Sequence, residues 1–110
     1  MKLQGVLVDG AGIDSKRKDW IEATRTINEE LYKGTLNIRL MNSVKLDDLK
    51  PHRGTVFNDF YFRQGKINGY YVYVCYKYDV EDVATLFIVS EFRLRDVLKL
   101  KTKDKVEVEL

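Results

Sequence analysis

The feature that most limits what this chain can fold into is a change of hydrophobic period at Gly34. Before it, Trp20, Thr24, Ile27 and Leu31 recur at spacings of four, three and four, which puts one largely apolar stripe on one face of a helix. Asp19 suits the start of that helix, and Lys33-Gly34 suits its end. After Gly34 the period is two. Leu36, Ile38 and Leu40 fall on one face of a strand, and Thr35, Asn37 and Arg39 fall on the other. Alternation or dense β-prone residues return at Thr55–Phe62, Tyr70–Tyr78, Ala84–Val89 and Lys105–Leu110, and Leu3–Val8 is a first short strand. Asn42–Arg53 is polar and reads as a loop with a short strand or turn, and Phe92–Leu98 as a short helix. The two longest strand candidates predict a hairpin, turning at Gln64-Gly65-Lys66 or at Asn68-Gly69. One longer and one short helix against about six strands predict a mainly β fold, an antiparallel barrel plugged or flanked by its helix. A parallel sheet would need more crossover helices than the pattern offers.

A chain of 110 residues fits one domain, 1–110, with a modest core. Nineteen basic against 17 acidic residues give a formal charge of +2, too balanced for the concentrated basic face that duplex nucleic acid demands. The bases do gather locally, at Arg93, Arg95, Lys99, Lys101, Lys103 and Lys105. Cys75 is the only cysteine, so no internal disulfide forms and a reducing compartment is expected. No early apolar run is long enough for a signal segment, and none approaches the ~20 residues that span a bilayer. The expectation is a cytoplasmic monomer with no membrane or nucleic-acid partner.

Three segments carry possible chemistry. Gly10-Ala11-Gly12 follows a strand directly, where glycines let backbone N–H groups approach phosphate oxygens; a tight turn uses the same residues. In Gly34-Thr35-Leu36-Asn37, the Thr35 hydroxyl and the Asn37 amide oxygen project from one strand face. These neutral, hard oxygens suit Mg²⁺ that keeps waters and takes phosphate oxygens as its other ligands, and equally suit a solvated strand face. Arg93-Leu94-Arg95-Asp96 could hold phosphates or a base edge, or could be a solvated helix face. His52 lacks a second histidine or cysteine ligand, and Cys75 lacks the neighbours a nucleophile needs. Trp20 anchors the helix, and Asp79, Glu81 and Asp82 form an acidic turn.

Taken together, these segments resemble the archaeal CTP-dependent riboflavin kinases. The likeness is carried by Gly5-Val6-Leu7-Val8-Asp9-Gly10-Ala11-Gly12, by Leu31-Tyr32-Lys33-Gly34-Thr35-Leu36-Asn37-Ile38-Arg39-Leu40, and by Phe92-Arg93-Leu94-Arg95-Asp96 with Leu100 and Asp104-Lys105-Val106-Glu107-Val108. The resemblance implies a six-stranded cradle-loop barrel, CTP as phosphoryl donor, Mg²⁺ as metal and riboflavin as acceptor, giving FMN. By position, Gly10, Ala11, Gly12, Ile13, Asp14 and Ser15 would surround the CTP phosphates, with Lys16 or Arg17 adding contacts. Thr35 and Asn37 would bind magnesium, and Arg93, Leu94, Arg95 and Asp96 would hold the cytidine end.

The chain departs from the family before Arg93, where it is shorter. The family's flavin-contacting threonine and glutamate fall near Asp79 and Phe87 without a match, so the acceptor residues and the base stay unassigned. The tyrosine-rich hairpin offers rings for a flat acceptor, and core packing would use the same rings. Two alternatives remain: a CTP-dependent kinase of another small alcohol, and a barrel similar to the swapped-hairpin DNA-binding proteins, with the bases from Arg93 to Lys105 on a phosphate backbone.

Overall fold

The computed structural model describes residues 1–8, 25, 36–49, 55–57, 60–77 and 80–110, and of 55–57 the backbone alone. Gly10–Ser15, Lys16, Arg17, Trp20, Thr35, His52 and Asp79 lie outside the described residues. So does the predicted helix, except Arg25, whose backbone is helical.

Seven strands and two short helices are described: β1 (Lys2–Val8), β2 (Leu36–Lys45), α1 (Leu46–Leu49), β3 (Thr55–Phe57), β4 (Phe60–Ile67), β5 (Tyr70–Lys77), β6 (Asp82–Val89), α2 (Leu94–Val97) and β7 (Lys105–Glu109). They pair antiparallel in the order β3-β4-β5-β6-β2-β1-β7, and β4 also pairs with β7 through Lys66↔Glu109 and Ile67↔Val108. That last pairing closes six strands into a barrel, with β3 added along the free end of β4. Closure leaves none of the six with an open edge along its whole length, which a small sheet needs if it is not to pair with other chains.

Alternation decides which side chains fill the barrel. Leu3 and Leu7 of β1, Leu36, Ile38 and Leu40 of β2, Val72, Val74 and Tyr76 of β5, Leu86 and Ile88 of β6, and Val106 and Val108 of β7 form one core. The β2 and β7 assignments are those the period of two predicts. Each helix supplies a stopper. Leu49 of α1 and Leu94 of α2 belong to the same core, entering from the strands' opposite ends. The Leu49 carbonyl accepts from Tyr76 Oη at 2.8 Å and from Arg63 Nη1 at 3.2 Å, which ties α1 to β4 and β5.

A second cluster lies on the outer face of β4, β5 and β6: Phe60, Phe62, Cys75, Phe87 and Val89, with Tyr73 packed against it. Phe60 meets Phe87 edge to face, with 6.4 Å between centroids.

Two expectations change, and an open choice between two turns is decided. β2 runs on to Lys45 and α1 follows, where a polar loop was expected from Asn42. The exposed Met41, Asn42 and Ser43 belong to a stretch where the β2–β6 register shifts, between Arg39 and Val44. The hairpin turns at Asn68-Gly69, both with positive φ (48° and 85°), while Gln64-Gly65-Lys66 lies inside β4. The predicted strand Thr55–Phe62 is two strands, β3 and β4. No described helix is long and apolar enough to cross a membrane.

Candidate functional site

All six barrel strands are antiparallel, so one rim collects alternate ends: the C-termini of β1, β4 and β6 and the N-termini of β2, β5 and β7. Described residues within or next to the segments singled out in the sequence meet this rim. β1, which leads toward Gly10–Ser15, ends here at Val8. Asn37 stands beside it, pairing with Val8 on one side and with Phe87 on the other. Ser90 to Arg93 leave β6 at the same rim and lead into α2.

Asn37 projects outward, away from the Leu36, Ile38 and Leu40 face, yet only 5% of it is exposed. The register aligns it in a row across the outer face, Val8–Asn37–Phe87–Cys75–Phe62. It is one of only two buried polar residues of the described chain, the other being Ser90. A polar amide in such a place is held by hydrogen bonds, and Asn37 does make a contact. Its amide oxygen is the neutral, hard donor that Mg²⁺ with waters and phosphate oxygens accepts, so this half of the expected ligand pair fits by donor chemistry. Among the described residues no three His, Cys, Asp or Glu side chains gather as a metal set.

The Arg93–Asp96 segment divides by environment. Arg93 and Asp96 are exposed and approach each other at 3.8 Å across one turn. Arg95 is half-buried and its Nη1 donates to Thr102 Oγ1 at 3.4 Å, tying α2 to the connection that follows. The Leu94 side chain is committed to the core, 5% exposed, so only its backbone is available to a ligand.

A cleft of about 330 Å³ opens where β6 parts from β5. The two strands pair from Cys75↔Phe87 to Tyr73↔Val89; beyond that, Ser90, Glu91 and Phe92 swing away toward α2 and leave the Tyr70–Val72 edge uncovered. Gln64, Tyr70, Tyr71, Tyr73 and Phe92 line it. Tyr70, Tyr71 and Phe92 are 45%, 74% and 60% exposed, the largest solvent-facing rings of the described chain. Lys66 Nζ stands 4.7 Å over the Tyr71 ring. The Ser90 hydroxyl fixes the departure by donating to the Phe92 carbonyl and accepting the Phe92 N–H at 3.2 Å. The cleft depends on two strands diverging, so no local pattern reveals it. Elsewhere in the hairpin Phe60, Phe62 and Tyr76 are buried, so those rings serve the core and only the Tyr70–Tyr71 end offers open faces.

Cys75 sits fully buried in the outer cluster, and burial pushes its thiol far above the ordinary range. The thiol is inert packing, as the sequence reading expected. Compared with protein-family models and with curated proteins, the sequence finds no match.

Proposed function

We propose that this barrel binds a magnesium–nucleotide at the rim and transfers its terminal phosphoryl group to a small alcohol, in the manner of the archaeal CTP-dependent riboflavin kinases it resembles. One observation carries the reading. The strand leading to Gly10–Ser15, the buried Asn37 and the Arg93–Asp96 segment are far apart in sequence and meet at one rim. In this reading the glycine loop and Thr35–Asn37 hold the phosphates and Mg²⁺, and Arg93, Asp96 and the backbone of α2 hold the cytidine.

Phosphoryl transfer asks mainly for alignment and charge neutralisation. The acceptor hydroxyl oxygen bonds to the terminal phosphorus, the bond to the bridging oxygen breaks, CDP leaves, and the hydroxyl proton passes to solvent. Mg²⁺, when bound, supplies charge neutralisation. A flat acceptor such as riboflavin finds exposed rings at the Tyr70–Tyr71–Phe92 cleft, on the same rim as Asn37. The single buried cysteine accords with a cytoplasmic setting. The DNA-binding alternative is the weaker reading because it gives no reason for Gly34-Thr35-Leu36-Asn37.

The test is incubation with Mg²⁺, riboflavin and each of the four nucleoside triphosphates in turn. FMN formed with CTP alone is the expected result. CTP-dependent stabilisation without FMN would move the acceptor to another small alcohol. No response to any nucleotide, with salt-sensitive retention of DNA, would replace the reading.

A further inference from the structure

Two residues of the connection between α2 and β7 adopt left-handed backbone, Lys99 (φ 53°) and Lys103 (φ 77°). Glycine is the default residue there, because a side chain crowds the backbone. Lys103 sits in a turn fastened twice: the Asp104 N–H donates to the Lys101 carbonyl at 3.0 Å, and the Lys101 N–H donates to Asp104 Oδ2 at 2.8 Å. The turn then docks on β1. The Lys103 N–H donates to the Leu7 carbonyl at 2.7 Å, and the Leu7 N–H donates to the Asp104 carbonyl at 2.8 Å.

Two residues therefore oppose Leu7, making a β-bulge whose first position is left-handed and ordinarily glycine. Every one of these bonds uses main-chain atoms or the Asp104 carboxylate, so glycine at 103 would make them all. What lysine adds is an ammonium group on a flexible stem. Its place is defined. Leu7 precedes Val8, and Val8 pairs with Asn37, so Lys103 lies roughly two strand spacings, about 10 Å, from Asn37. It stands beside the end of the strand that leads to residues 10–15.

We infer that Lys103 is a phosphate-binding residue, its ammonium group neutralising the polyphosphate of the nucleotide held at this rim. The inference rests on the nucleotide reading above and adds a residue which that reading does not contain. It also explains why a position shaped for glycine carries a cation.

The test compares the wild type with Lys103→Gly, Lys103→Asn and Lys103→Arg. Glycine and asparagine both tolerate the backbone, so a failure of one to fold leaves the other. Binding of CTP with Mg²⁺, of inorganic tripolyphosphate and of cytidine is titrated, and melting is recorded for each protein. The expected result is a Gly variant at least as heat-stable as the wild type that binds CTP and tripolyphosphate roughly tenfold more weakly. Cytidine binding should be unchanged, and the Arg variant should keep wild-type affinity. Undiminished CTP binding by both neutral variants would overturn this inference alone, as would an equal loss for cytidine. A wild type that binds no nucleotide would overturn both it and the reading on which it rests.

Discussion

Asn37 places an amide within an apolar row, between Val8 and Phe87, where an aliphatic side chain of the same volume keeps the packing and gives up only the amide's polar contact. Its proposed role is therefore separable from folding. Asn37→Leu should leave the barrel intact, with stability changed by no more than about 1–3 kcal/mol for the hydrogen-bonding group left unpaired. Affinity for CTP with Mg²⁺ should fall at least ~10-fold, the usual scale for disturbing a metal's surroundings, which removes about 1.4 kcal/mol of the stabilisation that the nucleotide gives in excess. Thermal shifts with and without the metal check this, and a variant that keeps the wild-type shift would remove Asn37 from the magnesium site. Two places along the same row, Cys75 makes a prediction about pH. Burial raises its folded-state value above the ordinary 9.0, and burial likewise raises Tyr76, opposed by the hydrogen bond and charge of Arg63. A raised value means that the folded protein keeps a proton the unfolded chain releases. Stability is then level below about pH 9 and falls above it, with a slope approaching ~1.4 kcal/mol per pH unit from the thiol alone. Melting curves from pH 8 to 11 should show this decline, and Cys75→Ala should start lower and decline less steeply.

Among the elements, the barrel is most easily breached at the β4–β7 seam, which has two residue pairs. Gly65 lies beside it, and a Cβ there would stand 2.8 Å from the Glu109 carbonyl oxygen and 2.9 Å from Val74 Cγ2. The first of these is backbone and can give way only by opening the seam. Gly65→Ala should therefore destabilise the protein by roughly 1–3 kcal/mol, read by chemical denaturation, and speed amide exchange at Lys66 and Ile67 more than at Leu7 or Ile38. Gly65 also shows where sequence reading stops. Gln64-Gly65-Lys66 and Asn68-Gly69 look alike as turn signals, but only Asn-Gly satisfies two positive φ angles, and the other glycine serves a close approach between strands distant in sequence. Alternation in β2 and β7 was legible because one face of each is buried in the barrel. α1 was not, since four residues carry no helical period and its Leu49 is held by tertiary bonds to Tyr76 and Arg63. For the site, Asn37's outward direction was legible and its burial was not. The left-handed backbone of Lys103 was hidden altogether, because lysine is not a turn signal.

At the scale of the whole molecule, the antiparallel closure divides the barrel into two unlike ends. At one end α1 and its Leu49 stopper meet the bonds from Tyr76 and Arg63. At the other, the strand toward Gly10–Ser15, Asn37, α2, the Lys101–Asp104 turn and the aromatic cleft share a rim. Donor and acceptor in the proposed reaction would then approach from neighbouring parts of one surface, and the reacting hydroxyl must come within about 3–3.5 Å of the terminal phosphorus. Stacking on Tyr71 or Phe92 should quench riboflavin fluorescence. The quenching should saturate, and in the proposed reaction it should strengthen in the presence of CDP and Mg²⁺, because donor and acceptor would then occupy neighbouring parts of one rim. Tyr71→Ala and Phe92→Ala should each weaken the riboflavin affinity read by quenching roughly fivefold, a stacking contact being worth about 1 kcal/mol, while leaving the CTP-induced thermal shift intact because neither ring is committed to the core. Quenching that survives both substitutions would place the acceptor away from the cleft. Quenching lost together with the nucleotide shift would mean that the two rings shape the donor site instead.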